Sequence, residues 1–215
     1  DEARFVLENL REWVHEGNRR DSIAILYRSN AQSRVFEELL LSEGIPYRVY
    51  GGLRFFERAE IKDALAYLRL ISNRHSDPSF ERVVNVPTRG IGARTATAIR
   101  EHARASDTSM WTAAVELASK TQIPTRARTS LKCFVDLIEA LDVSTRDLDL
   151  TEQTDIVVQR SGLIDHYRKQ HGEKAQTRVE NLEELVSAAR HFNYDPADDQ
   201  HPDPLSEFLA HAALE

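Results

Sequence analysis

The chain is predicted to be mainly α-helical, with a short α/β piece ahead of the helices. Three observations carry this. From residue 58 to the end, apolar residues recur at helical spacing and no convincing strand appears. The first fifty residues instead alternate helix, short apolar run, helix, short apolar run, which is α/β grammar. Between two periodic segments stands Gly90-Ile91-Gly92, as in a tight hairpin joining two helices.

Taken in order, residues 2–16 place Phe5, Val6, Leu10, Trp13 and Val14 on one helical face, and Gly17-Asn18 closes the pattern. Ser22-Ile23-Ala24-Ile25-Leu26-Tyr27 is too short for a helix and reads as a buried strand. Residues 30–41 form a helix with Val35, Leu39 and Leu40 inward, Gly44 breaks it, and residues 45–50 read as a second strand, parallel to the first. Two strands cannot bury both faces of a sheet, so the sheet is expected to continue outside this chain. Beyond Gly51-Gly52 come helices at 58–71, at 77–84 with Asp77-Pro78 as cap and first residue, at 93–105, 110–118, 125–141, 151–161, 163–169, 175–192 and 205–214. Cys133 falls in a periodic stretch and is read as a small buried residue. The acidic stretch 193–203, with Pro196 and Pro202, is read as an exposed loop.

The hairpin is where charge and geometry meet. The 215 residues carry a net charge of −7, yet Arg82, Arg89, Arg94, Arg100 and Arg104 stand against one acid, Glu101, between residues 82 and 104. Glycine permits positive φ and close backbone approach, and the helix starting at Ala93 offers unpaired N–H groups and a positive dipole end beside Gly92. Such a turn can hold phosphate by its backbone. An ordinary helix-to-helix turn explains the glycines equally well, and the hairpin alone does not choose between them.

Other chemistries are excluded by what is missing. No glycine is followed by lysine, so there is no triphosphate-cradling loop, and the histidines show no metal-ligand spacing. Asp195, Asp198, Asp199 and Asp203 lack the glycine and terminal Glu of a calcium loop, and adjacent Glu183 and Glu184 diverge around a helix. No catalytic or metal residue is assigned. Nothing resembles a membrane span or export signal, and a lone cysteine fits a reducing compartment.

Four runs resolve what spacing leaves open: residues 24–34 (AILYRSNAQSR), 50–63 (YGGLRFFERAEIKD), 87–92 (PTRGIG) and 177–185 (TRVENLEEL). In this order they resemble the UvrD/PcrA/Rep family, superfamily 1 helicases that use ATP to move 3′ to 5′ along single-stranded DNA. The resemblance implies that residues 1–45 are a segment of the RecA-like motor domain 2A and 46–215 an all-helical accessory domain, 2B, containing a helix-hairpin-helix unit. It further implies that the family's ATP-binding loop and magnesium site lie before this stretch and its Thr-Ala-Lys-Gly motif after it. ATP and magnesium then belong to the longer parent, with no cofactor and no activity in this portion. Thr88, Arg89, Gly90, Ile91, Gly92 and Arg94 are the implied contacts to duplex DNA at a single-strand/double-strand junction, and Gly51 and Gly52 the implied hinge. Other helicase domains of the same chain and repair proteins are the implied partners, in the bacterial cytoplasm at the nucleoid. The alternative is a free-standing helix-hairpin-helix adaptor for DNA or a repair protein; an unfinished sheet argues against it.

Overall fold

A computed structural model describes residues 2–28, 30–49, 53–120, 122–170, 172–194 and 203–214, with backbone only at 21, 30 and 173. The chain divides into two compact units, Asp1–Arg58 and Ala59–Glu215.

In the first unit, α1 (Glu2–His15) packs against α2 (Ser33–Ser42), with short 3-10 turns at Arg20–Ser22, Asn30–Gln32 and Phe55–Glu57. The two expected strands are not formed: residues 23–27 and 45–49 are neither helical nor in a ladder, and no strand occurs among the described residues. The reason is physical. Two short strands with no third neighbour gain too little from pairing to hold a ladder. The inward face of α1 also differs from expectation, since Ala3 and Leu7 are buried while Phe5 is 66% and Trp13 47% exposed. Val6, Leu10 and Trp13 instead line an open apolar groove with residues 22–26. On α2, Ser33, Arg34, Glu37 and Leu40 are buried and Val35 is exposed. Arg58 Nη2 donates to Ser33 Oγ at 2.7 Å and lies 4.0 Å from Glu37 Oε1, so a buried carboxylate has a buried guanidinium beside it. Phe55 and Phe56 are both buried, edge to face at 5.0 Å, as core packing requires. Gly51 and Gly52 lie outside the described residues.

The second unit is organised around α3 (Ala59–Ser72), where ten of fourteen residues are buried. A helix apolar on nearly every side must be surrounded, and α3 contacts α4 (Asp77–Val83), α7 (Thr125–Thr145), α8 (Leu150–Arg160), α10 (Glu173–His191) and α11 (Pro204–Leu214). The hairpin after α4 leads into α5 (Ala93–Ser106), which packs on α6 (Met110–Ser119), and α6 packs on α7; α9 (Leu163–Arg168) rests on α10. These helices match the predicted spans to within a few residues. Asp77 is the first helical residue of α4 rather than its cap, and its Oδ1 accepts the Met110 N–H at 2.8 Å, tying α4 to the start of α6.

Two acids on α3 are buried with partners. Glu60 accepts from Asn181 Nδ2 at 2.6 Å and lies 3.7 Å from Arg178 Nε, both on α10. Asp63 pairs with Arg82 Nε at 2.7 Å and accepts from the Tyr167 hydroxyl. Cys133, expected inside, is exposed: Ala127, Leu131, Phe134, Ile138 and Leu141 form the buried stripe of α7, and Cys133 sits about 100° round the helix from Phe134.

Residues 23–26 should therefore exchange their amide protons before those of α10 between Val179 and Ala189, because an unladdered segment opens locally at little cost. Amide hydrogen exchange resolved by residue checks this, and equal protection of the two segments would contradict it.

Candidate functional site

The predicted hairpin, Thr88 to Gly92, lies in the segment 84–92 that joins the last residue of α4 to the first of α5. Its shape is set from inside. Asn85 Oδ1 accepts the N–H of Arg89 at 2.8 Å and that of Ile91 at 3.2 Å, and the Ile91 side chain is buried at 2% exposure. The alternate amides, those of Gly90 and Gly92, have no acceptor among the described residues, and neither do those of Ala93 and Arg94 in the first turn of α5. The Thr95 and Ala96 amides are the first to be satisfied, both by the Gly92 carbonyl. Gly92 caps α5 without a side-chain bond, and α5 has no acid in its first turn.

The glycines differ in their demands. Gly90 has φ +79°, which L side chains adopt only under strain, and a Cβ there would stand 3.5 Å from Ser130 Oγ of α7. Gly92, expected at positive φ, has φ −82° and ψ 176°, ordinary extended backbone, and a Cβ at that position would meet nothing within 4 Å. The turn is closed by Gly90 alone; Gly92 keeps a face of the backbone open.

The arginines separate into two groups. Arg89 points inward: its Nη1 donates to the carbonyls of Val83 (3.2 Å) and Pro87 (3.1 Å), and its Nη2 to the Tyr67 hydroxyl (2.5 Å) and the Ser161 carbonyl (3.0 Å). Its guanidinium carbon also lies 5.7 Å from the Tyr67 ring centroid and 5.4 Å from that of Phe134. Tyr67, fully buried on α3, donates in turn to the Val86 carbonyl at 2.6 Å. Arg82 is paired with Asp63, and Arg100 with Glu81 at 2.6 Å. Arg94 is exposed at the start of α5 with no partner among the described residues, and Thr88 is exposed on the turn. Of the six residues predicted here, Thr88, Gly90, Gly92 and Arg94 face solvent, while the side chains of Arg89 and Ile91 hold the turn together. Sequence reasoning missed Asn85 and Tyr67. Asn85 carries a weak signal in the sequence, a side-chain acceptor just ahead of a turn; Tyr67 carries none within its helical pattern.

Among the described residues no group of three or more His, Cys, Asp or Glu is placed to hold a metal ion, and no helix is long and apolar enough to cross a membrane.

Among the described residues, the start of α5 thus presents N–H groups and the Arg94 side chain without partners, an arrangement chemically suited to an anion. The chain belongs to the UvrD-like helicase C-terminal domain family, whose family pattern matches residues 1–215. It is 54% identical to DNA helicase II of Escherichia coli across all of this chain and 30% of that protein. It is 49% identical to DNA helicase II of Haemophilus influenzae, covering 29% of it, and 38% identical to the ATP-dependent DNA helicase PcrA of Bacillus subtilis, over 99% of this chain and 28% of that protein. The chain thus spans 28–30% of the length of these relatives.

Removing the Arg89 side chain by Arg89→Ala should cost about 2–4 kcal/mol, since four backbone or hydroxyl acceptors lose their donor at once. Arg89→Lys should recover only part of this, because a point donor cannot serve a planar fork. Urea denaturation of the two variants tests both.

Tyrosine burial adds a pH dependence. Burial pushes the Tyr67 hydroxyl up to about 12, against the opposing effect of Arg89, and burial with the hydrogen bond to Asp63 raises Tyr167 above the ordinary tyrosine range. Both groups are raised on folding, so their contributions are complete below pH 10 and decline above it, that of Tyr67 being lost as pH climbs through 12. Urea midpoints should fall over that interval, and Tyr67→Phe should flatten the fall; a midpoint independent of pH there would contradict the assignment.

Proposed function

We propose that this chain is the part of an ATP-dependent DNA helicase, moving 3′ to 5′, that grips duplex DNA ahead of the junction. It would do so without reading sequence, through the backbone of residues 90–94 and the side chain of Arg94. In this reading residues 1–45 are a motor-domain segment, 46–215 the accessory domain that regulates unwinding, and Gly51-Gly52 the hinge between them. One observation carries it: in a member of a helicase family, the amides of Gly90, Gly92, Ala93 and Arg94, all exposed residues, have no acceptor among the described residues, at the start of a helix that lacks an acidic cap. The names of the relatives, a DNA helicase II and an ATP-dependent DNA helicase, support DNA as the ligand. Phosphate contacts of this kind fix position and register, not base identity. Arg89, first expected to touch DNA, serves the site by holding the turn. The partners of such a portion are duplex DNA, the other domains of the same helicase and repair proteins, at the bacterial nucleoid.

The residues here do not fit a magnesium nucleotide. No glycine precedes a lysine, and the described acids form no metal-holding group. In this reading ATP, which the name of the PcrA relative carries, and magnesium are assigned to the longer parent.

The purified chain should bind a fluorescein-labelled duplex weakly, near ~10⁻⁴ M, with log affinity falling against log salt at a slope of about −2 to −4 for some two to four neutralised phosphates. Gly92→Val is the clean probe, because its φ suits any residue and a side chain there meets open space. Binding should fall while the circular dichroism is unchanged. Arg94→Ala should reduce the salt slope by roughly one. If Gly92→Val binds as the parent does, the hairpin is only a turn. The chain alone should show no DNA-stimulated ATPase activity; any such activity surviving a contaminant control would sink the assignment of nucleotide chemistry to the parent.

A further inference from the structure

We infer that Asn85 is the positioning residue that sorts the hairpin's backbone donors, turning the amides of Arg89 and Ile91 inward and leaving those of Gly90 and Gly92 for phosphate. The inference rests on the DNA-gripping role proposed for this turn. It goes beyond that role by assigning the shape of the grip to a side chain that does not itself face the ligand.

In an extended segment successive residues face opposite sides, so a loop that runs partly extended does not present all its donors outward. A single inward acceptor resolves this. The Asn85 carbonyl oxygen has two lone pairs, and both are used: one by the Arg89 N–H at 2.8 Å, the other by the Ile91 N–H at 3.2 Å. With residues 89 and 91 pinned, the amides of 90 and 92 are the ones with no acceptor among the described residues. Asn85 is half-buried and lies just after α4, so it is held by the helix rather than by the loop it shapes. Two further anchors act on the same residues from the same side. The Arg89 guanidinium is tied to Tyr67 and Ser161, and the Ile91 side chain is buried. Backbone and side chain of residues 89 and 91 are thus both committed inward, which leaves the alternate residues, both glycines, as the exposed rim. Glycine at 90 and 92 follows from this division: one needs positive φ to make the turn, and the other needs an uncovered backbone face. A side-chain acceptor in place of water also preorganises the site, so the ordering cost of the loop is met on folding rather than on binding.

The test compares Asn85→Ala, Asn85→Asp and Gly92→Val in the 215-residue chain, with the labelled duplex across a salt series and with amide hydrogen exchange of the free protein. Asp retains an acceptor able to take both amides; Ala retains none. Asn85→Ala is expected to lose exchange protection at Arg89 and Ile91 while α10 stays protected, and to weaken duplex binding about tenfold with the salt slope unchanged, since no phosphate contact is deleted. Asn85→Asp is expected to restore protection at both amides and to recover binding relative to Asn85→Ala, an outcome that simple destabilisation would not produce. If Gly92→Val loses binding while Asn85→Ala keeps it, or if Asn85→Asp regains protection without regaining any affinity, the sorting role is overturned and the DNA-gripping role of the hairpin stands. If Gly92→Val binds normally, the gripping role itself fails and the inference falls with it.

Discussion

The second unit depends on one guanidinium. Arg89 lies between the hairpin, helix α3 and the turn at Ser161, and its planar fork satisfies acceptors on all three. A lysine has the charge but not the geometry, because only a rigid fork can donate in several directions from one plane. The cost of burying the charge is offset by four hydrogen bonds and by the faces of Tyr67 and Phe134. Tyr67 is committed in the same way, accepting from Arg89 and donating to the Val86 carbonyl. The loop between α4 and α5 is therefore tied to the core through its own residues, which is how a glycine-containing turn keeps a defined shape.

Around the same central helix a second polar set is buried for a related reason. Glu60 and Asp63 sit on α3 among apolar neighbours, where a lone carboxylate would be costly, and each is met from another helix: Glu60 by Asn181 and Arg178 of α10, Asp63 by Arg82 of α4 and Tyr167 of α9. Two of the runs that carried the family resemblance, 50–63 and 177–185, meet here. Their polar residues specify which helix packs on α3 and in what register, since any slip would strand a buried charge.

The helices of this chain were legible because each carries its own signal: an apolar stripe at the right period, a capping residue or a breaking glycine. What the sequence concealed depends on residues far apart in the chain. The apolar runs at 23–27 and 45–49 look like strands by composition, but a strand exists only with a partner, and composition does not state whether one is present. Phe5 and Trp13 belong to a correct helix, yet burial there is decided by what packs on α1, and the residues it leaves buried are Ala3 and Leu7. Cys133 shows the same failure at finer grain, as a residue inside a periodic stretch but off its stripe. In the hairpin the glycines were legible and their separate roles were not, because φ at Gly90 and Gly92 follows from the acceptor at Asn85 and the anchors at residues 89 and 91.

Charge counting was the poorest guide to the surface. Five arginines within residues 82–104 suggest a strongly basic patch, but Arg82, Arg89 and Arg100 are each engaged with acceptors or acids of the same unit. Asp63 and Glu81, outside that window, take up two of them. What remains near the turn is Arg94 and a row of amides. In the DNA contact proposed above, a surface built that way would draw little on long-range attraction and much on the close approach of one phosphodiester to uncovered backbone, so its strength would lie in geometry. Such a grip would be weak, indifferent to sequence and readily released. Those are the properties that the proposed role asks of a contact that must let go of a duplex as the duplex is consumed.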